Sequence, residues 1–436
     1  MTSPRKAILY EHIENFHQDA IYEWEKIANA SLSMGDFAAY ANCSSNIIKT
    51  LEEHSSDWPE ENLNEFRNSI YDNIANNMPD FRPDETREIA DKTLENLIKT
   101  ENKKTFEEFS LKMIQGAMLS GEYSYAINLI HKVLRQSEDQ SINPLEYNFS
   151  LNLLLMTLIH IKALFNIGAY KDCIDIGYNV LNVLDTSRIN SIQFNDDILT
   201  KEDFVNIIIE FIAYMAMACV FTLNNVQELL DITNKLFDFV PQEYSIFFEL
   251  EKLIHGQDIL MSEVVKGENL FSNLLYYIIS AFTQYKQEPD AFAKEIYKAK
   301  ILAKDSYMPT FEVFADLLIG YSYAQKESYI KAEAIIKEII KSSKEKGMTQ
   351  ITQIANIIQE CTLIKQFKYD IAYNMINNLN SKIERMGSGN EYLLLLNKIN
   401  MYTVLKARNQ EEKANICQGQ IQQIMYKYKI NLNFGA

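Results

Sequence analysis

Proline and glycine are scarce in this chain, eight and 13 among 436 residues. The period-two alternation that marks strands between turn clusters is missing almost everywhere, so nearly all of the chain is expected to be helix. Long apolar runs are missing too. The most apolar stretch, Ile207 to Leu223, carries Glu210 and is shorter than the roughly 20 residues a membrane helix needs. It reads as a central helix buried on several sides. The N-terminus, Met1-Thr2-Ser3-Pro4-Arg5-Lys6, lacks the apolar core and small-residue cleavage site of a signal peptide. The five cysteines (Cys43, Cys173, Cys219, Cys361, Cys417) are widely spaced, odd in number and without a C-x-x-C pair, as expected of buried thiols in a reducing compartment. A soluble, cytoplasmic protein with no membrane contact is the expectation.

The signatures of catalysis are also missing. No G-x-x-x-x-G-K-[ST], no G-x-G-x-x-G after a strand, no G-x-S-x-G and no H-E-x-x-H is present. Gly387-Ser388-Gly389 is a G-x-G, but it joins two helices and reads as a linker. Of the six histidines only His12 and His17 fall near one another, with Glu11, Glu14 and Asp19. Five residues of helix turn them about 140° apart, so they cannot share one ion on a straight helix. Adjacent glutamates such as Glu52-Glu53, Glu60-Glu61, Glu107-Glu108 and Glu411-Glu412 point about 100° apart and read as solvated surface. No enzyme, no metal and no cofactor is expected.

What is present is a period. Phe311, Phe314, Leu317, Leu318 and Tyr321 mark one helical face. A polar break at Gln325-Lys326-Glu327-Ser328 leads into Tyr329, Ala332, Ile336 and Ile339, and Gly347 closes that second helix. Forty residues on, Ile354, Ile357, Ile358 and Cys361 are followed by Tyr369, Ala372, Ile376 and Leu379. Ala332, Ala372 and Ala414 sit at successive anchors. Such a period means stacked helical hairpins, an all-α solenoid. Earlier pairs turn at Gly35, Gly121 and Gly168. The middle of the chain stays helical, with Tyr244–Ile259 one of its helices, but its markers have decayed. The hairpins divide into residues 1–78, 79–185, a degenerate block 186–310, and 311–436.

Aligned on these turns, the pairs resemble the tetratricopeptide repeat, in a long variety of about 40 residues seen in bacterial regulatory proteins. Gly121, Tyr123 and Ala126 match its turn glycine, aromatic and small residue, and Gly168, Tyr170 and Cys173 match with cysteine for alanine. Gly320, Tyr323, Tyr329 and Ala332 match the small eighth position and the aromatic and small positions after it. Trp24, Ile27, Ala28, Gly35 and Phe37 match in the first pair, where Tyr40 departs from the small residue. The resemblance implies a superhelix whose first helices line a concave groove for a protein or peptide. Asn152, Lys162, Asn166, Tyr321, Gln325, Asn356, Gln359, Asn397, Asn400 and Tyr402 are the groove candidates, because amides can bridge a peptide backbone whatever its side chains.

The net charge of −17 is uneven: residues 1–110 carry −11, residues 111–310 carry −10, and residues 311–436 carry +4. An acidic front two-thirds repels nucleic-acid phosphates and favours a partner of basic character. A regulatory, non-enzymatic scaffold is the leading expectation, and self-association is compatible with it. Two alternatives remain: a peptide-sensing receptor like the pheromone receptors of Gram-positive bacteria, or the repeat portion of a larger signalling protein with a kinase, ATPase or receiver output.

Overall fold

The computed structural model describes residues 4–13, 16–54, 60–77, 83–99, 103–138, 151–183, 200–237, 242–262, 264, 266–267, 270–285, 289–306, 308–385 and 389–432. The breaks expected at 78–84 and 185–200 and the linker around Gly387 lie mostly outside these residues, as does the side chain of Phe37. Among the described residues there are 20 α-helices, a single 3-10 turn and no strand. The fold is an all-α solenoid of antiparallel helix hairpins.

One local device makes nearly every hairpin. At the end of a helix one residue turns left-handed, and the amide of the residue after it reaches back five residues to a carbonyl of the last turn. Asp36 N–H to Ser31 O (2.9 Å), Glu122 to Ala117 (2.8 Å), Ala169 to Leu164 (2.9 Å), Ser328 to Tyr323 (2.9 Å), Met348 to Ser343 (2.8 Å), Lys368 to Leu363 (3.0 Å) and Gln410 to Leu405 (2.9 Å) repeat the same bond. This is the Schellman arrangement, which satisfies carbonyls a helix end leaves unpaired. Glycine fills the left-handed position at residues 35, 121, 168 and 347, but Leu223, Glu327, Phe367 and Asn409 fill it elsewhere with φ of 57–60°.

The helices gather into two compact units, residues 1–156 and 157–436. Compact units and repeat blocks are different divisions; the boundary falls inside the 79–185 block. In the first unit α1 (Pro4–Glu11), α2 (His17–Ser33), α3 (Phe37–Glu53), α4 (Glu60–Asn77), α5 (Pro83–Lys99), α6 (Lys103–Ser120) and α7 (Tyr123–Glu138) follow one another. Trp24, Tyr123 and Ala126 are buried in its core, and the Trp24 indole donates to Glu11 Oε1 at 2.6 Å. Tyr40, where the repeat takes a small residue, is buried as well.

The division passes through α8 (Leu151–Ile167). The second unit continues with α9 (Tyr170–Val183), α10 (Lys201–Phe221), α11 (Val226–Phe237), α12 (Ile246–Ile254), α13 (Leu270–Tyr285) and α14 (Pro289–Asp305). It ends in three hairpins of even length: α15 (Pro309–Gln325) with α16 (Tyr329–Glu345), α17 (Thr349–Lys365) with α18 (Tyr369–Arg385), and α19 (Glu391–Ala407) with α20 (Glu411–Tyr428). The expected helix Tyr244–Ile259 is shorter. A 3-10 turn at Gln242–Ser245 precedes α12, which stops at His255 because Gly256 turns left-handed (φ 68°) and ends the ladder.

The second helix of each hairpin buries one stripe: Ala332, Ile336, Ile339 and Ser343 on α16, and Ala372, Ile376, Leu379 and Ile383 on α18. The apolar side chains of such a stripe stabilise the stack by about 1.5–3 kcal/mol each when fully buried. The first helices also pack on one another, α15 on α17 and α17 on α19. They therefore form the closer, inner row of the stack. The alanine anchors 332, 372 and 414 are all fully buried, and a side chain at Gly320 would meet Ile335 Cγ2 at 3.2 Å.

Candidate functional site

The inner row of the second unit does not face an open groove along its whole length. The starts of α15, α17 and α19 converge on the corner between α8 and α9. Thr310 hydrogen-bonds Asn166, and Gln350 hydrogen-bonds both the Gly168 carbonyl and Asn390. Gly168 is required there twice over. Its φ is 84°, and any Cβ would lie 2.1 Å from Gln350 Cγ. Aromatic rings extend the same junction: Phe165 packs on Tyr170, Tyr214 and Phe311, Tyr170 stacks on Phe221, and Phe271 meets Tyr214 and Phe311. At the other end, Asn431 N–H donates to His255 O at 2.8 Å. The second unit thus closes upon itself through contacts up to 182 residues apart.

This closure corrects the expectation that all ten candidate residues are exposed. Asn166, Asn397 and Asn400 are buried, at 6%, 0% and 7%. Asn166 is bonded to Lys162 O and Thr310. Lys162 is half-exposed and paired with Glu210 at 2.6 Å. Asn152 is half-exposed and belongs to the first unit. Tyr321, Gln325, Asn356, Gln359 and Tyr402 stay half-exposed on α15, α17 and α19, with the Asn356 amide donating to Thr352 O at 2.8 Å. Burial, and then the neighbouring Tyr285 and Cys361, push the Tyr321 phenol up.

Asn397 and Asn400 instead serve a residue that periodicity alone does not single out. Glu360 is fully buried on α17, 40 residues after Gly320, where the repeat takes a small residue. Asn400 Nδ2 donates to Glu360 Oε2 at 3.0 Å and to Ile357 O at 3.2 Å, while Cys361 Sγ donates to Asn400 Oδ1 at 3.2 Å. The Asn397 amide fits its surroundings either way round, according to the proton on Glu360. One way, its Nδ2 donates to Ile376 O at 3.3 Å and its oxygen faces Glu360; turned over, its nitrogen lies 3.1 Å from Glu360 Oε2. The first suits a protonated carboxyl, which donates to Asn397; the second suits a carboxylate. Burial pushes the carboxyl up to about 8, against which the Asn400 hydrogen bond works.

Cys173 is fully buried at a repeat anchor, and burial pushes its thiol up, Cys219 adding to the effect. His17 stacks on His54, ring centroids 3.6 Å apart, rather than joining His12. Among the described residues no three His, Cys, Asp or Glu side chains gather as a metal-binding set, and no helix is long and apolar enough to cross a membrane.

An open-sided cavity of about 520 Å³ lies where the second unit returns on itself. One wall is α9, through Lys171, Ile174, Asp175 and Tyr178, with Cys219 of α10, Thr222 just past its end and Glu228 of α11 beside it. The other wall is Gly389, Glu391, Lys427 and Tyr428. The corner Gly168-Ala169-Tyr170 was legible as a repeat turn, but the wall facing it comes from more than 200 residues further along the chain.

No protein-family model matches the chain, and no curated protein matches it. Among solved structures, a "Circular tandem repeat protein with novel repeat topology and enhanced subunit contact surfaces" aligns over 98% of both chains at 8% identity, with a TM-score of 0.20. The all-α solenoid rests on the chain's own helices and their order of packing, and that alignment adds nothing to it.

Proposed function

We propose that the chain is a non-enzymatic, cytoplasmic helical-repeat scaffold of tetratricopeptide type that binds a protein or peptide partner in a regulatory role. The observation that carries this reading is the inner row, α15 on α17 on α19, packed more closely than the second helices and still presenting Tyr321, Gln325, Gln359 and Tyr402 half-exposed. A stack whose first helices approach more closely curves toward them, and that side suits an extended peptide or a helix. The −21 carried by residues 1–310 favours basic character in a partner where it meets those residues, while the inner row itself lies in the block that carries +4. The test is a peptide array probed with purified protein. Tyr321→Ala with Gln359→Ala and Tyr402→Ala should abolish capture of the peptides bound, whereas Ile330→Ala, 89% exposed on the second helix α16, should leave it intact. Capture unchanged by the triple substitution would refute the inner face as the site.

A second reading, a peptide-sensing receptor, is favoured by the cavity at the closure. A ligand bridging its two walls would bind the closed form of the second unit better than any opened one, and so shift the population toward it.

A further inference from the structure

The cavity of the second unit contains groups that are bonded within the protein and exposed charges that are not. The Thr222 hydroxyl donates to Ala218 O at 2.8 Å and accepts from Asn224 Nδ2 at 2.9 Å. Asn225 Oδ1 accepts the Gln227 amide at 2.9 Å. On the returning wall Glu391 Oε2 accepts the Gly389 amide at 2.8 Å, and Lys427 Nζ donates to the Tyr428 hydroxyl at 2.8 Å with the Glu391 charge close by. That wall is neutral in itself.

The facing wall is not. Asp175 on α9 and Glu228 on α11 line the cavity, both exposed, and among the described residues neither has an ion pair or hydrogen bond. Among the described residues Lys171, one helical turn before Asp175, is the single cation lining that wall against these two carboxylates. The negative field is felt by their neighbours: burial, then Cys219 and Glu228, push the Tyr178 phenol up to about 12, and burial, then Glu251 and Glu228, push the Cys219 thiol up to about 12. Tyr178 and Tyr428 provide aromatic walls, and Ile174 and Cys219 an apolar one.

We propose that this cavity is a binding site for a cationic side chain, lysine or arginine, presented by a peptide segment; the proposal rests on the peptide-binding reading above and names the residue chemistry that the closure selects. The volume lies within the 300–1,000 Å³ common to pre-formed ligand sites. An extended stem fits against Ile174 and Cys219. The ammonium or guanidinium meets Asp175 and Glu228 through charge-assisted hydrogen bonds, with the Tyr178 ring as a cation–π partner, the Tyr428 ring being covered already by Lys427. An anionic segment would have to approach the same two carboxylates and is repelled.

The test is calorimetric titration of the full chain with short N-acetylated, C-amidated peptides carrying a central arginine, lysine, citrulline or glutamate. The arginyl and lysyl peptides should bind, and the citrulline and glutamate peptides should not. Asp175→Asn with Glu228→Gln should weaken binding at least about tenfold, the loss expected for removal of charge-assisted hydrogen bonds. Both side chains are exposed, so the double variant should keep the native circular dichroism. Because the walls come from both ends of the second unit, bound peptide should also slow hydrogen exchange of the Asn431 amide, which donates to His255 O. Failure of the arginyl and lysyl peptides to bind, or equal binding to the double variant, overturns the proposal. The array with Tyr321, Gln359 and Tyr402 replaced reads the inner face separately, so loss of one reading is distinguishable from loss of the other.

Discussion

Replacing Glu360 by glutamine should stabilise the protein, and increasingly so as the pH rises. The fold holds this carboxyl at full burial among neutral amides, with no cation among the described residues in its hydrogen-bonding shell, and its pKa rises from 4.5 to about 8. Between those values the native state keeps a proton that the unfolded chain has released. Stability therefore falls as pH rises through the window, and levels off above it. Each pH unit is worth about 1.4 kcal/mol, so the whole shift amounts to about 5 kcal/mol and the part present at neutral pH to about 3 kcal/mol. Glutamine matches the protonated carboxyl in shape. Its carbonyl accepts from Asn400, and its amino group finds Asn397 Oδ1 in the setting where Asn397 donates to Ile376 O. The assay is denaturant unfolding followed by far-ultraviolet circular dichroism, for both proteins, from about pH 5 to about pH 8. The Glu360→Gln advantage should be small at the acid end and grow by about 1.4 kcal/mol per pH unit. Stability curves that run parallel across this range would refute the reasoning, because a carboxyl that ionises normally in the fold gives no such slope.

Ala332→Leu inserts a side chain where α16 crosses α15 at full burial, and thermal melting should show a loss of about 1–3 kcal/mol. Gly168→Ala forces a left-handed alanine whose Cβ overlaps Gln350, so it should cost more than the roughly 1–2 kcal/mol of the backbone alone, read by the same melts. Phe367→Gly should raise the melting temperature, gaining up to about 1 kcal/mol, since φ of 59° strains a phenylalanine whose ring is 77% exposed. If the acidic field of residues 1–310 steers a basic partner, raising salt should slow association much more than it speeds dissociation in stopped-flow or surface-binding measurements.

The hairpins were legible because each is made locally. The stripe Ala332, Ile336, Ile339 and its copy Ala372, Ile376, Leu379 lie within single helices, and the turns at Gly35, Gly121, Gly168 and Gly347 announce their left-handed residue through glycine. The turns at Glu327, Phe367 and Asn409 make the same backbone bond without glycine; a polar break marked the first, and the spacing of apolar residues the other two. The helix expected over Tyr244–Ile259 is shorter, Ile246–Ile254, for a related reason. Its apolar spacing runs past His255, but the left-handed Gly256 ends the hydrogen-bond ladder whichever residues come after it.

The candidate site was harder to read because it is made by closure, and closure has no period. Polar residues on inner helices suggest a groove lining only if an inner face is solvated. That holds for Tyr321, Gln325, Asn356, Gln359 and Tyr402. It fails for Asn166 because Thr310, 144 residues away, comes down upon it, and for Asn397 and Asn400 because they turn toward Glu360. An amide at a helix crossing is useful only if something polar is buried beside it; otherwise an apolar side chain of like size would be better. The buried carboxyl and its two asparagines therefore explain one another, and the clue to them in the sequence was a single misfit: a glutamate standing 40 residues after a glycine, at a position the repeat keeps small.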